Sequence, residues 1–422
     1  MKKQDLSEYR WGMIELPLNG VTMTDLFSGA GVGASGFKLA GYDIQFAIDN
    51  QKYAVNTYNQ NIGNHAILGD IRKLKSEEIP DSDVISGGFP CTPFSVAGKG
   101  EGTNDKEKGD LGYHFYRIIK EKQPKAFFME NVAGLLTKNH KAFFDELMKL
   151  FEEAGYNVSW KLINTWEHGV PQLRKRVFAI GIRKDLNKTF VFPEPLPEEQ
   201  RTTIRQAIGD LPDPNGMNNH KGYGIRNDEA PFVDKVPPGG NWRDIPEEDQ
   251  KKFLGKAYYS GGGRTGFLRK VKFDNPAWTL TSCMNGKNNA QIVDNRDKYG
   301  LYDIKNQEEY YKGDYSPRYK SRNRQKQWDE PSFTIVSQAR QLPLYPEPAN
   351  YDIREMDKYE VAPPRRFTVR ECLRLQTVPD WFYFGEDVSL AHQYERCSGI
   401  PSLIAYQFGI ELARLLKETE AK

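Results

Sequence analysis

The sequence is poor in cysteine, in long apolar runs and in net charge, and each shortage excludes a class of protein. Only four cysteines occur in 422 residues, Cys91, Cys283, Cys372 and Cys397, and no two of them form a C-x-x-C pair. That spacing argues against a disulfide framework and against a zinc site, so no metal is expected and a reducing compartment is the default. No apolar run approaches the roughly 20 residues a membrane helix requires, and charged residues make up 27% of the chain against 38% hydrophobic. Residues 1–10 are charged and lack the apolar stretch of a secretion signal. A soluble globular protein without a membrane segment is the expectation, and at about 150 residues per domain the length fits two domains better than one.

The formal net charge of +2 says nothing about partners, but its distribution does. Residues 251–275 hold seven Lys/Arg against one acid, interleaved with Phe253, Tyr258, Tyr259, Phe267 and Phe273, and residues 312–326 hold six against one. A single basic run is ordinary solvated surface. Two in the same half of the chain raise the expectation of a polyanionic partner.

Residues 21–185 read as alternating strands and helices, which implies a parallel sheet covered by helices on both faces. Strands are expected at 21–27, 44–48, 83–86, 125–129 and 177–182, and helices at 33–40, 52–61, 113–121 and 142–154. From about 192 to 364 the chain is rich in Pro, Gly, Asn and charge, with only short strand-like runs. Within it the run Phe273–Ser282 (FDNPAWTLTS) is echoed 55 residues later by Trp328–Ser337 (WDEPSFTIVS), which suggests two similar strand entries in one irregular domain. Helical patterning returns at 368–376 and 402–417, and the last segment should pack back on the first domain.

Four short runs carry candidate chemistry. The turn after the first strand, Asp25 to Gly36, reads DLFSGAGVGASG and contains a G-x-G-x-x-G match from Gly31 to Gly36. Alone the match is weak, because any tight strand-to-helix turn accumulates glycine. It gains weight from Asp49, an acid at the end of the next strand suited to a ribose, and from Asp70, placed to meet an adenine amine. Gly87–Ser95 (GGFPCTPFS) follows a strand and sets Cys91 between prolines on a stiff loop. Glu130 and Asn131 end a further strand, and Gln172–Arg176 (QLRKR) puts Arg174 and Arg176 before the last one.

In this order, and with the late run RFTVRECLRLQTVPDWF from Arg366 to Phe382, these motifs resemble the cytosine-C5 DNA methyltransferase family of bacterial and phage modification enzymes. The resemblance covers nearly the whole chain. It implies an α/β fold: a Rossmann-like S-adenosylmethionine-dependent methyltransferase domain, with a mostly irregular or β target-recognition domain inserted before the C-terminal helices. The catalytic and cofactor-binding domain would span 1–189, completed by 366–422, with the target-recognition domain at 190–365. The implied activity is methyl transfer from S-adenosyl-L-methionine to carbon 5 of a cytosine in a specific double-stranded DNA site.

The chemistry required is consistent with those residues. Carbon 5 of cytosine is a weak nucleophile, and a thiolate adding at carbon 6, the role of Cys91, activates it. Glu130 would protonate or hydrogen-bond ring nitrogen 3, and Arg176 would stabilise charge at the exocyclic oxygen. Arg174 would support that loop and Asn131 would brace the Cys91 loop. The base must leave the duplex to be reached. The resemblance further implies that Phe27 stacks by the adenine, with Gly29, Ala30 and Gly31 near the methionine part. Asp49, with Asn50 beside it, would take the ribose hydroxyls and Asp70 the adenine amine, while Ile71, Pro90 and Leu111 line the pocket.

For DNA reading, the Gly-rich stretch 260–267 presents Arg264, and the second repeat copy leads into Gln338 and Arg340. Lys270, with Lys251 and Lys252, is expected to bind phosphates without reading sequence, and Ser95 lies on the Cys91 loop. A monomer in the bacterial cytoplasm or nucleoid follows, and the resemblance is compatible with a separate cognate restriction endonuclease.

The chain departs from the family at three places. Thr92 stands where Gln is usual after the catalytic Cys, and Asp49 where Glu is usual. Arg396-Cys397-Ser398-Gly399-Ile400-Pro401 is one residue short and lacks the Asn that helps hold the cofactor. Three alternatives stay open: a nicotinamide-dependent oxidoreductase, which leaves Pro90-Cys91 unexplained; a tRNA cytosine-C5 methyltransferase; and a non-catalytic DNA-binding regulator.

Overall fold

In the computed structural model, which describes residues 15–90, 111–211, 224–259, 268–280, 291–293 and 365–420, the alternation produces one large sheet. Its strands are β1 (Thr22–Leu26), β2 (Asp43–Asp49), β3 (Ala66–Leu68), β4 (Val84–Gly87), β5 (Ala126–Val132), β6 (Tyr156–Asn164) and, after the short β7 (Gln172–Leu173), β8 (Lys175–Arg183). The order across the sheet is β3-β2-β1-β4-β5-β8-β6. Strands β1 to β5 are parallel, whereas β8 runs antiparallel to both β5 and β6. The expected parallel sheet is therefore corrected to a mixed one, and β3 and β6 are additional to the expected strands. Central β5 (AFFMENV) is buried along its first six residues, the continuous apolar reading of a strand covered on both faces.

Helices cover each face. On one side α3 (Leu111–Lys122) buries Phe115, Ile118 and Ile119, and α4 (Lys141–Glu153) buries Phe144, Leu147, Met148 and Phe151, the i, i+3, i+4 stripe of an amphipathic helix. On the other side α1 (Val32–Leu39) packs with the final helix of the chain, Ser402–Glu420. The Phe408 ring of that helix meets Phe128, Phe178, Phe190 and Phe192. The last segment does return to the first domain.

Between these, regular structure is more abundant than the composition implies. Helix α5 (Ile204–Ile208) starts at a capping box of Thr203 and Gln206, and α6 (Ala230–Val233), α7 (Glu247–Leu254) and α8 (Lys256–Tyr259) follow. Short strands β9 (Arg269–Lys270), β10 (Ala277–Trp278), β11 (Gln291–Val293) and β12 (Arg365–Arg366) form two small sheets, β10 with β7 and β12-β11-β9. Helices α9 (Val369–Leu375) and α10 (Leu390–Arg396) lead to the final helix, which becomes α11. Ile204, Phe273 and Leu280 share a core with Val369, Leu373 and Phe382. Arg374 on α9 ties this core to Asp210 at 2.6 Å and Asp380 at 2.7 Å. All described residues fall in one compact unit, Met1–Val293 with Arg365–Lys422. Among them no helix is long and apolar enough to cross a membrane.

The α1–α11 contact depends on a missing side chain. A Cβ at Gly36 would lie 2.0 Å from the Ser402 carbonyl oxygen, a backbone atom that cannot swing away, and the neighbouring Ser35 hydroxyl donates to Ser402 Oγ at 2.9 Å. Gly36→Ala should therefore destabilise the fold by about 1–3 kcal/mol, the scale of overpacking, despite the better helix propensity of alanine. Urea unfolding would check this, and an unchanged midpoint would show that the two helices separate freely.

Candidate functional site

Strands β2 and β3 are laid down on one side of β1, and β4 and β5 on the other. Where the order of building reverses, the loops beyond the carboxyl ends part and leave a crevice. A cavity of about 650 Å³ fills it.

The β1 loop supplies Phe27, Gly29 and Ala30 to the wall of this cavity, β2 supplies Asp49 and Asn50, and β3 supplies Asp70 and Ile71. Pro90 after β4 and Leu111 at the start of α3 complete that side. Phe27 holds a left-handed backbone, φ 56°, rare for an aromatic residue, with its ring edge-on to Phe89 at 6.2 Å. Gly31 is not part of the wall. Its φ is 91°, and a Cβ there would meet Ile62 at 2.7 Å and Tyr58 at 3.1 Å, so it serves the turn and the packing on α2 (Lys52–Asn61).

Asp49 Oδ2 accepts the Gly29 N–H at 3.0 Å and Oδ1 accepts the Gln51 N–H at 2.9 Å. The carboxylate thus fixes two loops, and each oxygen keeps a second lone pair. Asp70 is gripped by the Arg72 guanidinium, Nε to Oδ1 at 2.9 Å and Nη2 to Oδ2 at 2.6 Å, which holds its carboxyl below the ordinary range.

The other half of the cavity belongs to β5 and β8. Glu130 is buried, with Oε1 3.0 Å from Arg176 Nε and 3.8 Å from Arg174 Nη2. That oxygen accepts no well-aligned hydrogen bond among the described residues, so it has capacity for a further donor. Arg174 is fully buried and donates from Nη1 to the Leu280 carbonyl at 3.1 Å; burial first, then the Arg176 cation, lower its pKa to about 9. Asn131 donates to the Phe89 carbonyl at 3.1 Å and accepts the Val132 N–H at 2.8 Å, clasping the loop that runs on through Pro90. Cys91 is the next residue in the chain; it, Thr92, Ser95, Arg264, Gln338 and Arg340 lie outside the described residues.

Lys270 is a correction. It was expected to meet DNA phosphates, but it is fully buried on β9, its N–H bonded to the Gly240 carbonyl at 2.9 Å and its carbonyl to the Gly239 N–H at 3.0 Å. A basic count along the sequence does not tell which lysine the fold covers.

Several wall residues carried no signal of their own in sequence: Ser28, Arg72 and Glu395, besides Arg396, Ser398 and Gly399 of the shortened segment. Asp25 opened a motif and now gains a specific place. It lines the cavity from inside β1, accepts a hydrogen bond from Ser86 Oγ at 2.5 Å, and is held by burial at a pKa of about 7. Among the described residues no group of His, Cys, Asp and Glu could hold a metal.

The family model for C-5 cytosine-specific DNA methylases matches residues 21–401. The chain is 34% identical over 404 residues to the Type II methyltransferase M.FnuDI of Fusobacterium nucleatum, covering 94% of each chain. It is 32% identical over 411 residues to the Type II methyltransferase M.NgoPII of Neisseria gonorrhoeae, covering 95% of this chain and 96% of the relative. Among solved structures, the S. pombe Dnmt2 methyltransferase superimposes with a TM-score of 0.51 at 16% identity, covering 94% of this chain and 98% of that one. The Entamoeba histolytica methyltransferase EhMeth gives 0.55 at 15%, covering 95% and 99%. At such identities the structures speak for the fold.

The raised pKa of Asp25 has a consequence for stability. The folded state keeps its proton up to about pH 7, whereas the unfolded chain releases it near pH 4. Folded protein binds more protons across that window, so this residue's contribution falls as pH rises from 4 to 7. Relative to Asp25→Asn, the wild type should lose about 4 kcal/mol of stability over that range, from roughly three pKa units. Paired urea titrations at several pH values would measure it; a pH-independent difference would mean that Asp25 does not titrate in the window.

Proposed function

The chain belongs to the C-5 cytosine-specific DNA methylase family, is a methyltransferase of the restriction–modification type, and from that premise we propose that it methylates carbon 5 of one cytosine within a specific double-stranded DNA sequence. The observation that carries the reading is the meeting of two half-sites in one cavity. Asp49 and Asp70 stand on loops suited to a nucleoside, and Glu130 stands 3.0 Å from Arg176 beside the loop that leads to Cys91. The wall fits S-adenosylmethionine in its chemistry: carboxylates with spare lone pairs to accept from hydroxyls, an aromatic ring, and a glycine, Gly29, in the loop after β1. Bound there, S-adenosylmethionine supplies the electrophilic methyl group.

Everything else falls to the chain. The Cys91 thiolate adds to carbon 6 of a flipped cytosine, and the ring electrons so displaced make carbon 5 nucleophilic. Glu130, with an oxygen free of well-aligned partners among the described residues, holds or delivers the proton at ring nitrogen 3. Arg176 faces the exocyclic oxygen, and Arg174, tied to Leu280, sets the position of that strand end. Asn131 keeps the Phe89 carbonyl, and hence the Cys91 loop, in register. Loss of the carbon 5 proton and of the sulfur from carbon 6 restores the ring and the thiolate.

Residues 190–365 would recognise the DNA site, with Arg264, Gln338 and Arg340 as base readers and Ser95 near the displaced base. The catalytic part would comprise 1–189 and 366–422, acting as a monomer, with any cognate endonuclease a separate chain.

Cys91→Ser should abolish methyl transfer and leave duplex binding largely intact. A duplex carrying 5-fluorocytosine at the target should trap the wild type covalently, because fluorine does not leave as the proton does. Bisulfite sequencing of DNA from a methylation-free host identifies the site, and a Ser variant that methylates at the wild-type rate would sink the mechanism. Glu130→Gln and Arg176→Ala should each slow the single-turnover step by about 10²-fold or more with little change in cofactor affinity. Near-normal rates in both would remove them from the reaction.

A further inference from the structure

The shortened segment after α10 poses a specific question: which groups take up the charged tail of the cofactor where the family's Asn is missing. The chain passes from α10 through Cys397 to Ile400 and crosses the first turn of α1. A Cβ at Gly399 would lie 3.3 Å from Val32, and one at Gly33 would lie 3.2 Å from Ile400. The cavity wall here contains Glu395, Arg396 and Ser398, beside Ser28–Ala30 and next to Asp49 and Asn50. Asp49 and Asn50 lead directly into α2, whose Tyr53 is the pivot of a small cluster.

Tyr53 donates to Glu395 Oε2 at 3.1 Å and accepts from Arg396 Nη2 at 3.2 Å. The Arg396 guanidinium lies 5.2 Å from the Tyr53 ring centre, and the same ring stacks on His392 at 4.0 Å. Two opposite charges are therefore held in fixed places by one phenol, with Arg396 Nη2 and Glu395 Oε1 3.6 Å apart, too far for a hydrogen bond between them. Arg396 Nε is buried and has no acceptor among the described residues. A buried donor of a charged group left without an acceptor is costly, and this one belongs to a residue that lines the cavity. Among the described residues Arg396 therefore keeps an unused donor beside the cavity, with the Glu395 carboxylate one residue away.

We propose that Arg396 and Glu395 form a clamp for the zwitterionic amino-acid tail of the cofactor, the guanidinium taking its carboxylate and Glu395 its ammonium, in place of the amide this chain lacks. The proposal rests on the S-adenosylmethionine reading above. The charges of the tail fit: its carboxylate and ammonium meet a guanidinium and a carboxylate, so the tail itself adds no net charge to a partly buried place. The clamp gives selectivity for the tail and leaves the nucleoside to Phe27, Asp49 and Asp70.

The experiment is a binding measurement on the whole chain and needs no turnover. Isothermal titration compares S-adenosylhomocysteine, which carries the tail, with 5′-methylthioadenosine, which keeps the nucleoside and sulfur and lacks the tail. In Arg396→Gln and in Glu395→Gln the affinity for S-adenosylhomocysteine should fall by about 10- to 100-fold, the scale of one charge-assisted hydrogen bond, and that for 5′-methylthioadenosine should stay within about twofold. Arg396→Lys, which keeps the charge, should recover part of the loss. Equal losses for both ligands in both Gln variants, or none for either, would overturn the clamp. So would an Arg396→Gln variant that keeps S-adenosylhomocysteine and loses duplex DNA instead, since Arg396 would then be a phosphate contact. A wild type that binds neither nucleoside would overturn the cofactor reading itself, and the two failures are distinguished in the first titration.

Discussion

One antiparallel pairing, β8 against β5, decides where the cations of the site stand. In that register Val132 faces Arg176 and Glu130 faces Phe178, so β8 begins where β5 ends, at the carboxyl edge of the sheet. Were β8 parallel like its neighbours, its first residues would lie at the opposite edge, about seven residues and roughly 23 Å away at the rise of a strand. The pairing also resolves an electrostatic problem. Glu130 and Arg174 are both buried, and removing Glu130 would take away the carboxylate that both guanidiniums approach. The second guanidinium, on Arg176, would repel Arg174, and Glu130 at 3.0 Å offsets it.

The other half of the site depends on the return of the chain after a long excursion. Helix α11 lies against α1 through Gly36 and Ser402, and Tyr42 donates to the Gly409 carbonyl at 2.8 Å. That docking carries the preceding segment, Glu395–Ile400, onto the loop after β1, so residues at opposite ends of the sequence share one cavity wall. The N-terminal part alone would leave α1 uncovered and the cavity open on that side.

Much of this was legible in the sequence, and the gaps have identifiable causes. The order of β1, β2, β4 and β5, and the loops that reach the cavity from them, follow from apolar runs that end in Asp, Gly or Pro, whereas the three-residue β3 was too short to show. Strand direction does not: Val177–Ile182 reads the same whichever way it is paired, so the mixed sheet was out of reach. Strand β6 is an edge strand in which only Tyr156 and Ile163, near its two ends, are buried, so it shows no alternating buried face to set a period. The middle of the chain read as irregular, although the Thr203–Gln206 capping box before α5 is a recognisable helix start. Lys270 shows the opposite failure, where a local basic run suggested surface and tertiary packing covered the residue. Glu395 and Arg396 gave no local signal, since their pairing with Tyr53 joins positions 342 and 343 residues apart.

The strand order also bears on how one cavity would hold the two unlike ligands of the proposed reaction. Crossing the sheet from β3 to β8, the loop ends present Asp70, Asp49, Asp25, Pro90 with Cys91 next in the chain, Glu130 and Arg176 in turn. The Asp70 and Asp49 carboxylates stand at the ends of β3 and β2, the side proposed for a cationic sulfonium nucleoside, and the Arg176 guanidinium stands on β8, the side proposed for a ring that gains electron density. Strands β1 and β4 are neighbours, so a ligand held over β3 to β1 and another held over β4 to β8 would meet at the point where the sheet reverses its order of building. Pro90, the described end of the β4 loop, stands between the two charge regimes, so each proposed ligand would be held by charges that the other does not neutralise.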